Sequence, residues 1–148
     1  MAPHIRTLDE ADKTAWRRLW AGYLHFYKTD LDADVSEDTW ARLVDPAGNI
    51  AGLVALDDAG EIIGFAHYLL HPGTWSARPL CYLEDLFVSE AARGTGAGRA
   101  LIEALRTKAQ ENGWKAVYWQ TAADNFQAQA LYDKVARRTD WVRYEIDL

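Results

Sequence analysis

The chain has 148 residues, of which 49% are hydrophobic, and a formal net charge of −6. That length predicts one domain over residues 1–148, and seven Trp with seven Tyr exclude a disordered chain. The acidic balance is the reverse of a nucleic-acid footprint and suits a cationic ligand, drawn in by long-range attraction.

A short strand is expected around Ile5-Arg6-Thr7, with Thr7 or Asp9 capping the helix that follows. That helix is predicted from about Glu10 to Tyr27, because Trp16, Leu19, Trp20, Tyr23, Phe26 and Tyr27 recur at helical spacing. At its C-terminal end Tyr23 and Tyr27 sit one turn apart, and Asp30, Asp32 and Asp34 come next. Aromatic faces beside carboxylates attract an ammonium group. Tyr23, Tyr27 and Asp30 are therefore candidates for one wall of an acceptor pocket. Ser36 is expected to cap a second helix, roughly Glu37 to Val44, which Asp45-Pro46 stops.

Two strands follow, about Ile50 to Leu56 and Glu61 to His71, joined by the turn Asp57-Asp58-Ala59-Gly60. His67 and His71 fall on one face of the second strand but lack a third ligand of matching spacing, so structural or substrate-facing roles are expected and no metal. After a loop bearing Trp75, the next strand runs from Leu80 to Val88 and carries Glu84 and Asp85. If it is regular, these two acids point to opposite faces; a bulge would change that. Cys81, the only cysteine, reads as a buried small hydrophobe, and no internal disulfide can form.

Glycines at 94, 96 and 98 precede a helix expected from Gly98 to Asn112, which Gly113 ends. A strand from Ala116 to Thr121 then implies a right-handed parallel crossover. Asp124 or Asn125 caps a last helix to about Val135, and Trp141 to Asp147 alternates as a final strand. No run approaches the roughly 20 apolar residues of a membrane span. The N-terminal residues lack the apolar core of a signal peptide, so a cytoplasmic protein without membrane partners is expected.

The stretch from Leu83 to Leu101 carries the chemistry. Small residues before a helix let main-chain N–H groups approach a phosphate, and the helix start adds partial positive charge. Arg93 and Arg99 flank the turn and can pair with phosphate oxygens. A dinucleotide fingerprint starting at Gly94 or Gly96 would need glycine where Arg99 or Leu101 stands. A P-loop would need Gly-Lys-Ser or Gly-Lys-Thr, which is absent from the sequence.

The remaining pattern, Arg93-x-x-Gly96-x-Gly98, resembles the pyrophosphate loop of the GNAT N-acetyltransferase superfamily, which binds acetyl-coenzyme A. Asn125-x-x-Ala128-x-x-Leu131-Tyr132 resembles that superfamily's second signature. The strand Tyr82-Leu-Glu-Asp-Leu-Phe-Val88 looks like its counterpart in diamine N-acetyltransferases. Leu19 to Tyr27 is similar to a bacterial and fungal histone or polyamine acetyltransferase branch.

The resemblance implies an α/β (α+β) fold: a mixed, mostly antiparallel twisted sheet of six to seven strands with one parallel crossover, flanked by four helices. It implies acetyl-CoA as cosubstrate, held by Leu86, Phe87, Val88, Arg93, Gly94, Thr95, Gly96, Ala97, Gly98, Arg99, Asn125 and Tyr132. It further implies Glu84 as base and Tyr132 as the acid that protonates the leaving thiolate, with Glu84 and Asp85 also facing the acceptor. One departure stands out. The family often follows Leu-Tyr-x-Lys with Leu-Gly-Phe and a terminal hairpin. Here Val135-Ala-Arg-Arg-Thr-Asp140 intervenes before a single strand, which pairs either within its own sheet or with a partner subunit of a homodimer.

The chemistry matches these assignments. A lysine-like amine, with a pKa near ~10.4, is neutral only to about one part in ~10³ at neutral pH, so a base is needed. Main-chain N–H groups near Leu86 to Val88 can serve the oxyanion. The expected reaction is acetyl transfer to a small primary amine such as a polyamine. The alternatives are a protein lysine or N-terminal amine as acceptor, or a non-catalytic acetyl-CoA sensor.

Overall fold

In the computed structural model, which describes residues 2–148, strand β1 (His4–Thr7) leads through a short turn into helix α1 (Lys13–Phe26) and then α2 (Ala33–Val44). Strands β2 (Ala51–Leu56), β3 (Ile62–His71) and β4 (Leu80–Val88) follow, then α3 (Ala97–Asn112), β5 (Ala116–Tyr118) and α4 (Phe126–Val135). The strands lie in the order β1-β2-β3-β4-β5, antiparallel throughout except for the parallel pair β4–β5. The sheet therefore has five strands among the described residues, against the six to seven expected, with the parallel crossover and the four helices as expected.

Strand alternation sends side chains to both faces, and each face has its own helices. On one side Trp16, Leu19 and Trp20 of α1 and Trp40 of α2 pack on Val54 and Phe65. On the other, Leu101, Ile102 and Leu105 of α3 pack on Leu53, Ala66, Cys81 and Leu83. Leu101 and Leu105 are fully buried, which contributes about 1.5–3 kcal/mol for each side chain.

Local signals placed most boundaries. Asp9 accepts from the Ala11 N–H at 2.8 Å and completes a capping box with Asp12. Asn125 accepts from the Ala128 N–H at the start of α4, and Gly113 ends α3 with φ 69°.

Three elements differ from expectation. Helix α2 begins at Ala33 rather than Glu37, and Ser36 is no cap: its hydroxyl accepts from the Trp20 indole N–H at 3.0 Å. Strand β5 stops at Tyr118 rather than Thr121, because β4 and β5 diverge beyond that point. The predicted final strand, Trp141 to Asp147, joins no sheet and lies exposed.

A fourth difference is within β4. The register with β3 pairs His67 with Asp85 but Tyr68 with Leu83, which leaves Glu84 as an extra residue. This bulge reverses the alternation. Before it, Cys81 and Leu83 face α3; after it, Leu86 and Val88 do. Asp85 and Phe87 are thereby turned toward α1, where Phe87 packs with its aromatic residues. A bulge thus replaces the regular strand, and it turns Asp85 to the α1 face, opposite Cys81 and Leu83.

Candidate active site

The divergence of β4 and β5 creates the site. Only Leu80, Cys81 and Tyr82 pair with Ala116, Val117 and Tyr118. The rest of β4 has no strand beside it on that side, so its main-chain donors and acceptors there are open to a ligand. The resulting cleft has a volume of about 350 Å³. Leu86, Phe87 and Val88 form one wall, and Asn125, Gln127, Ala128, Leu131 and Tyr132 of the α4 region form the other.

The glycine turn closes one end. Gly94 and Gly96 have φ of 84° and 86°, and a Cβ at either would meet nothing within 4 Å. Glycine is required there by the backbone conformation and not by crowding. Gly96 occupies the cap position of α3 without a side-chain cap, so the first N–H groups of the helix remain available to an anion. Arg93, Gly94, Gly96, Ala97, Gly98 and Arg99 all line the cleft. Thr95 does not; its hydroxyl donates to the Ala92 carbonyl at 2.6 Å and fastens the turn. The Arg93 guanidinium stacks over Phe26, 5.6 Å from the ring centroid.

Tyr132 lines the cleft from α4, its ring edge-on to Trp119 at 5.4 Å. Burial, with a smaller push from Tyr27, raises its phenol to about 12. It is thus a proton donor at neutral pH. Asn125 borders the cleft, but its carbonyl caps α4 and its amide donates to the Thr121 hydroxyl at 3.3 Å. Its side chain is engaged within the fold.

Behind the Phe87 wall lies a hydrogen-bond chain that the sequence did not reveal. The Trp16 indole N–H donates to His67 Nε2 at 3.0 Å. With Nε2 accepting, the ring proton is assigned to Nδ1, which bonds Asp85 at 2.9 Å. The Tyr23 hydroxyl donates to the other Asp85 oxygen at 2.5 Å. Burial and then the Asp85 charge push the Tyr23 phenol far above its ordinary range. Tyr23 and Asp85, both expected to face the acceptor, bond each other and do not stand open to a ligand.

Tyr27 does face the cleft, edge-on to Tyr23 at 4.9 Å. Burial, then Asp85, raises its phenol. Glu84, on the bulge, is exposed; partial burial and then the Asp85 charge raise its carboxyl, opposed by Arg143 and His67. Asp30 lies exposed beyond α1 and outside the cleft lining.

His67 and His71 do not form a pair. His67 is held by Trp16 and Asp85, whereas His71 Nε2 meets the Tyr118 hydroxyl at 2.7 Å. Among the described residues no group of three His, Cys, Asp or Glu is set to hold a metal, and no helix is long and apolar enough to cross a membrane. Cys81 is buried between sheet and α3, and burial pushes its thiol up to about 11. Gln127 and Phe26 line or flank the cleft without having been marked as site residues. Gln127 falls at an unspecified position of the second motif and Phe26 within the aromatic stripe, so neither carried its own signal.

A split parallel strand pair, a glycine turn on a helix start and a half-buried tyrosine opposite suit an acyl-coenzyme A transferase. The acetyltransferase (GNAT) family matches residues 12–136, and the chain belongs to it. It is an acetyl-CoA-dependent N-acetyltransferase. Over 142 residues it is 43% identical to the D-amino-acid N-acetyltransferase HPA3 of Saccharomyces cerevisiae, covering 95% of this chain and 88% of that one. It is 32% identical over 135 residues to the aminoglycoside N(6')-acetyltransferase type 1 of Stenotrophomonas maltophilia, covering 88% and 83% of the two chains. Among solved structures it shares its fold with AAC(6')-Iy in complex with the bisubstrate analogue CoA-S-monomethyl-acetylneamine. There the TM-score is 0.84 and the identity 21%, over 100% of this chain and 99% of that one.

Proposed function

We propose that residues 1–148 act as one domain that transfers the acetyl group of acetyl-CoA to a primary amine of a small, polyamine-like molecule by direct attack. The observation that carries this reading is the cleft between β4 and α4, with anion-binding N–H groups at one end and a protonated Tyr132 in its wall. The diphosphate of the coenzyme binds the turn from Arg93 to Arg99 through main-chain N–H groups and the two guanidinium groups. The open edge of Leu86 to Val88 bonds the pantetheine arm, and an N–H there serves the oxyanion. Glu84, its carboxyl raised by partial burial and the Asp85 charge, removes the ammonium proton directly or through water. Tyr132 donates its proton to the departing thiolate.

Exposed Glu84, and Tyr27 facing the cleft, favour a cationic acceptor. A second reading, an amino acid as acceptor, is favoured by the relationship to the yeast D-amino-acid enzyme. The test is thiol release from acetyl-CoA across a panel of diamines, D- and L-amino acids, an aminoglycoside and a lysine peptide. Diamines giving the highest kcat/KM support the polyamine-like acceptor. D-amino acids ahead of diamines replace it with the second reading, and a lysine peptide ahead of both makes the acceptor a protein amine.

A further inference from the structure

A second hollow lies on the α1 side of the Phe87 wall. It encloses about 450 Å³ between α1 and the short turn Glu90–Ala92 that follows β4. Arg18, Gly22 and His25 line it from α1, where their spacing puts them on one face of the helix. A Cβ at Gly22 would meet the Phe87 ring at 3.2 Å, so the glycine permits the close approach of ring and helix. Phe26, Phe87 and Arg93 line both this hollow and the cleft between β4 and α4, and they form the partition between the two.

The charges of the hollow run against those of the chain. The protein has 22 acidic and 16 basic residues, yet here two guanidinium groups, Arg18 and Arg93, accompany one carboxylate, Glu90. Neither guanidinium takes part in an ion pair among the described residues. Even with the His25 ring neutral, positive charge is left in excess beside an apolar lining of Leu19, Phe26 and Phe87. Phe26 is 48% exposed there. A single excess charge matches a monoanion; a phosphate dianion would set its second charge against Glu90. The apolar lining matches a hydrocarbon body on the same ligand.

The geometry points to a second ligand site: the hollow takes a small organic carboxylate with an apolar body, its charge between Arg18 and Arg93 and its body against Leu19 and Phe87. The ligand acts on the cleft through the partition. The Arg93 guanidinium stacks over Phe26, 5.6 Å from the ring centroid, and it cannot pair fully with a carboxylate on one side and a diphosphate on the other. An occupied hollow therefore weakens coenzyme binding, and bound coenzyme weakens the carboxylate by the same factor. This coupling rests on the function proposed above for Arg93, whereas the site itself does not.

The probes are phenylacetate and its uncharged counterpart phenylacetamide. In chemical-shift titrations of the whole chain, phenylacetate is expected to move the Gly22, His25 and Ser89 amides and to bind about tenfold tighter than the amide. In calorimetry, saturating phenylacetate should raise the coenzyme A dissociation constant about fivefold, as for two coupled and partly solvated sites. Arg18→Gln with His25→Gln should abolish both effects and leave coenzyme binding without phenylacetate unchanged. Both side chains are exposed, and circular dichroism checks that the fold is kept. Equal binding of acid and amide, effects that survive the double substitution, or a coenzyme dissociation constant unmoved by phenylacetate overturns the inference. Weaker coenzyme binding by the variant alone also overturns it, by making the hollow part of the coenzyme site. Inorganic phosphate binding the hollow more tightly than phenylacetate refutes the ligand class. Coenzyme A titrated alone tests the proposed function separately: no heat there overturns that function and the coupling, while the shift titrations still decide the site.

Discussion

Replacing Asp85 by Asn probes the part of the site that most depends on tertiary structure. The Asp85 side chain is only 15% exposed, and it accepts from both Tyr23 and His67. An amide at this position has one accepting oxygen. Turned toward His67, that oxygen keeps the Nδ1–H satisfied, but the amide N–H₂ then faces Tyr23, whose hydroxyl must become the acceptor and lose the partner for its own proton. The reverse orientation sets two donors against each other, and His67 cannot switch tautomer while Trp16 donates to Nε2. Charge-assisted hydrogen bonds contribute about 1.5–3 kcal/mol and neutral ones about 0.5–1.5 kcal/mol. Two weakened bonds and one frustrated donor therefore cost about 2 kcal/mol. For a chain of this size that lowers Tm by about 4–8 °C, measured by calorimetry. The same change removes the negative neighbour that raises the Glu84 carboxyl. Glu84 then ionises at lower pH, so the acidic limb of the kcat/KM profile moves to lower pH. An unchanged Tm together with an unmoved acidic limb would show that the chain from Trp16 to Asp85 neither supports the fold nor acts on Glu84.

Tyr132→Phe removes the proton donor while keeping the ring against Trp119. It is expected to lower kcat by about 10²–10⁴-fold with calorimetric binding of coenzyme A preserved; full activity would dismiss Tyr132 as the acid. Gly96→Ala forces a side chain into φ of 86° with open space around it, a strain of about 1–2 kcal/mol. Coenzyme binding should weaken about tenfold or more as the turn relaxes, and an unchanged dissociation constant would contradict the role given to its N–H groups. Asp12 is buried, and its Arg6 ion pair at 2.8 and 2.9 Å, with the Asp9 N–H, holds its carboxyl below the ordinary range. A lowered folded pKa gives stability that is present above the unfolded value near ~3.9 and lost as pH falls through the folded one. Asp12→Asn should therefore cost about 1–2 kcal/mol at pH 7, with Arg6 about a third exposed and screened. The gap to wild type should close in acid, and a gap constant with pH in denaturant titrations would argue against the ion pair.

The positions of the helices, the crossover and the glycine turn were legible in the sequence because short windows determine them. Residues 94 and 96 need positive φ, Asn125 and Asp9 need only the N–H groups two or three residues on, and the aromatic residues of α1 repeat at the helix period. Family motifs then fixed the coenzyme. What the windows do not contain is an extra residue in a strand. The bulge at Glu84 exists only relative to the register of β3, and it alone decides that Asp85 faces α1 and not the opposite side. Tyr23 and His67 come to that carboxylate from 62 and 18 residues away, and Trp16 reaches His67 from 51 residues away. Ser36 is diverted from capping by Trp20, 16 residues away. The alternation of residues 141–148 announces a strand, but pairing requires an edge, and in this chain the tail and the free edge of β5 do not meet. Backbone preference and periodicity are properties of neighbouring residues; hydrogen-bond partners and strand register belong to surfaces that only the folded chain brings into contact.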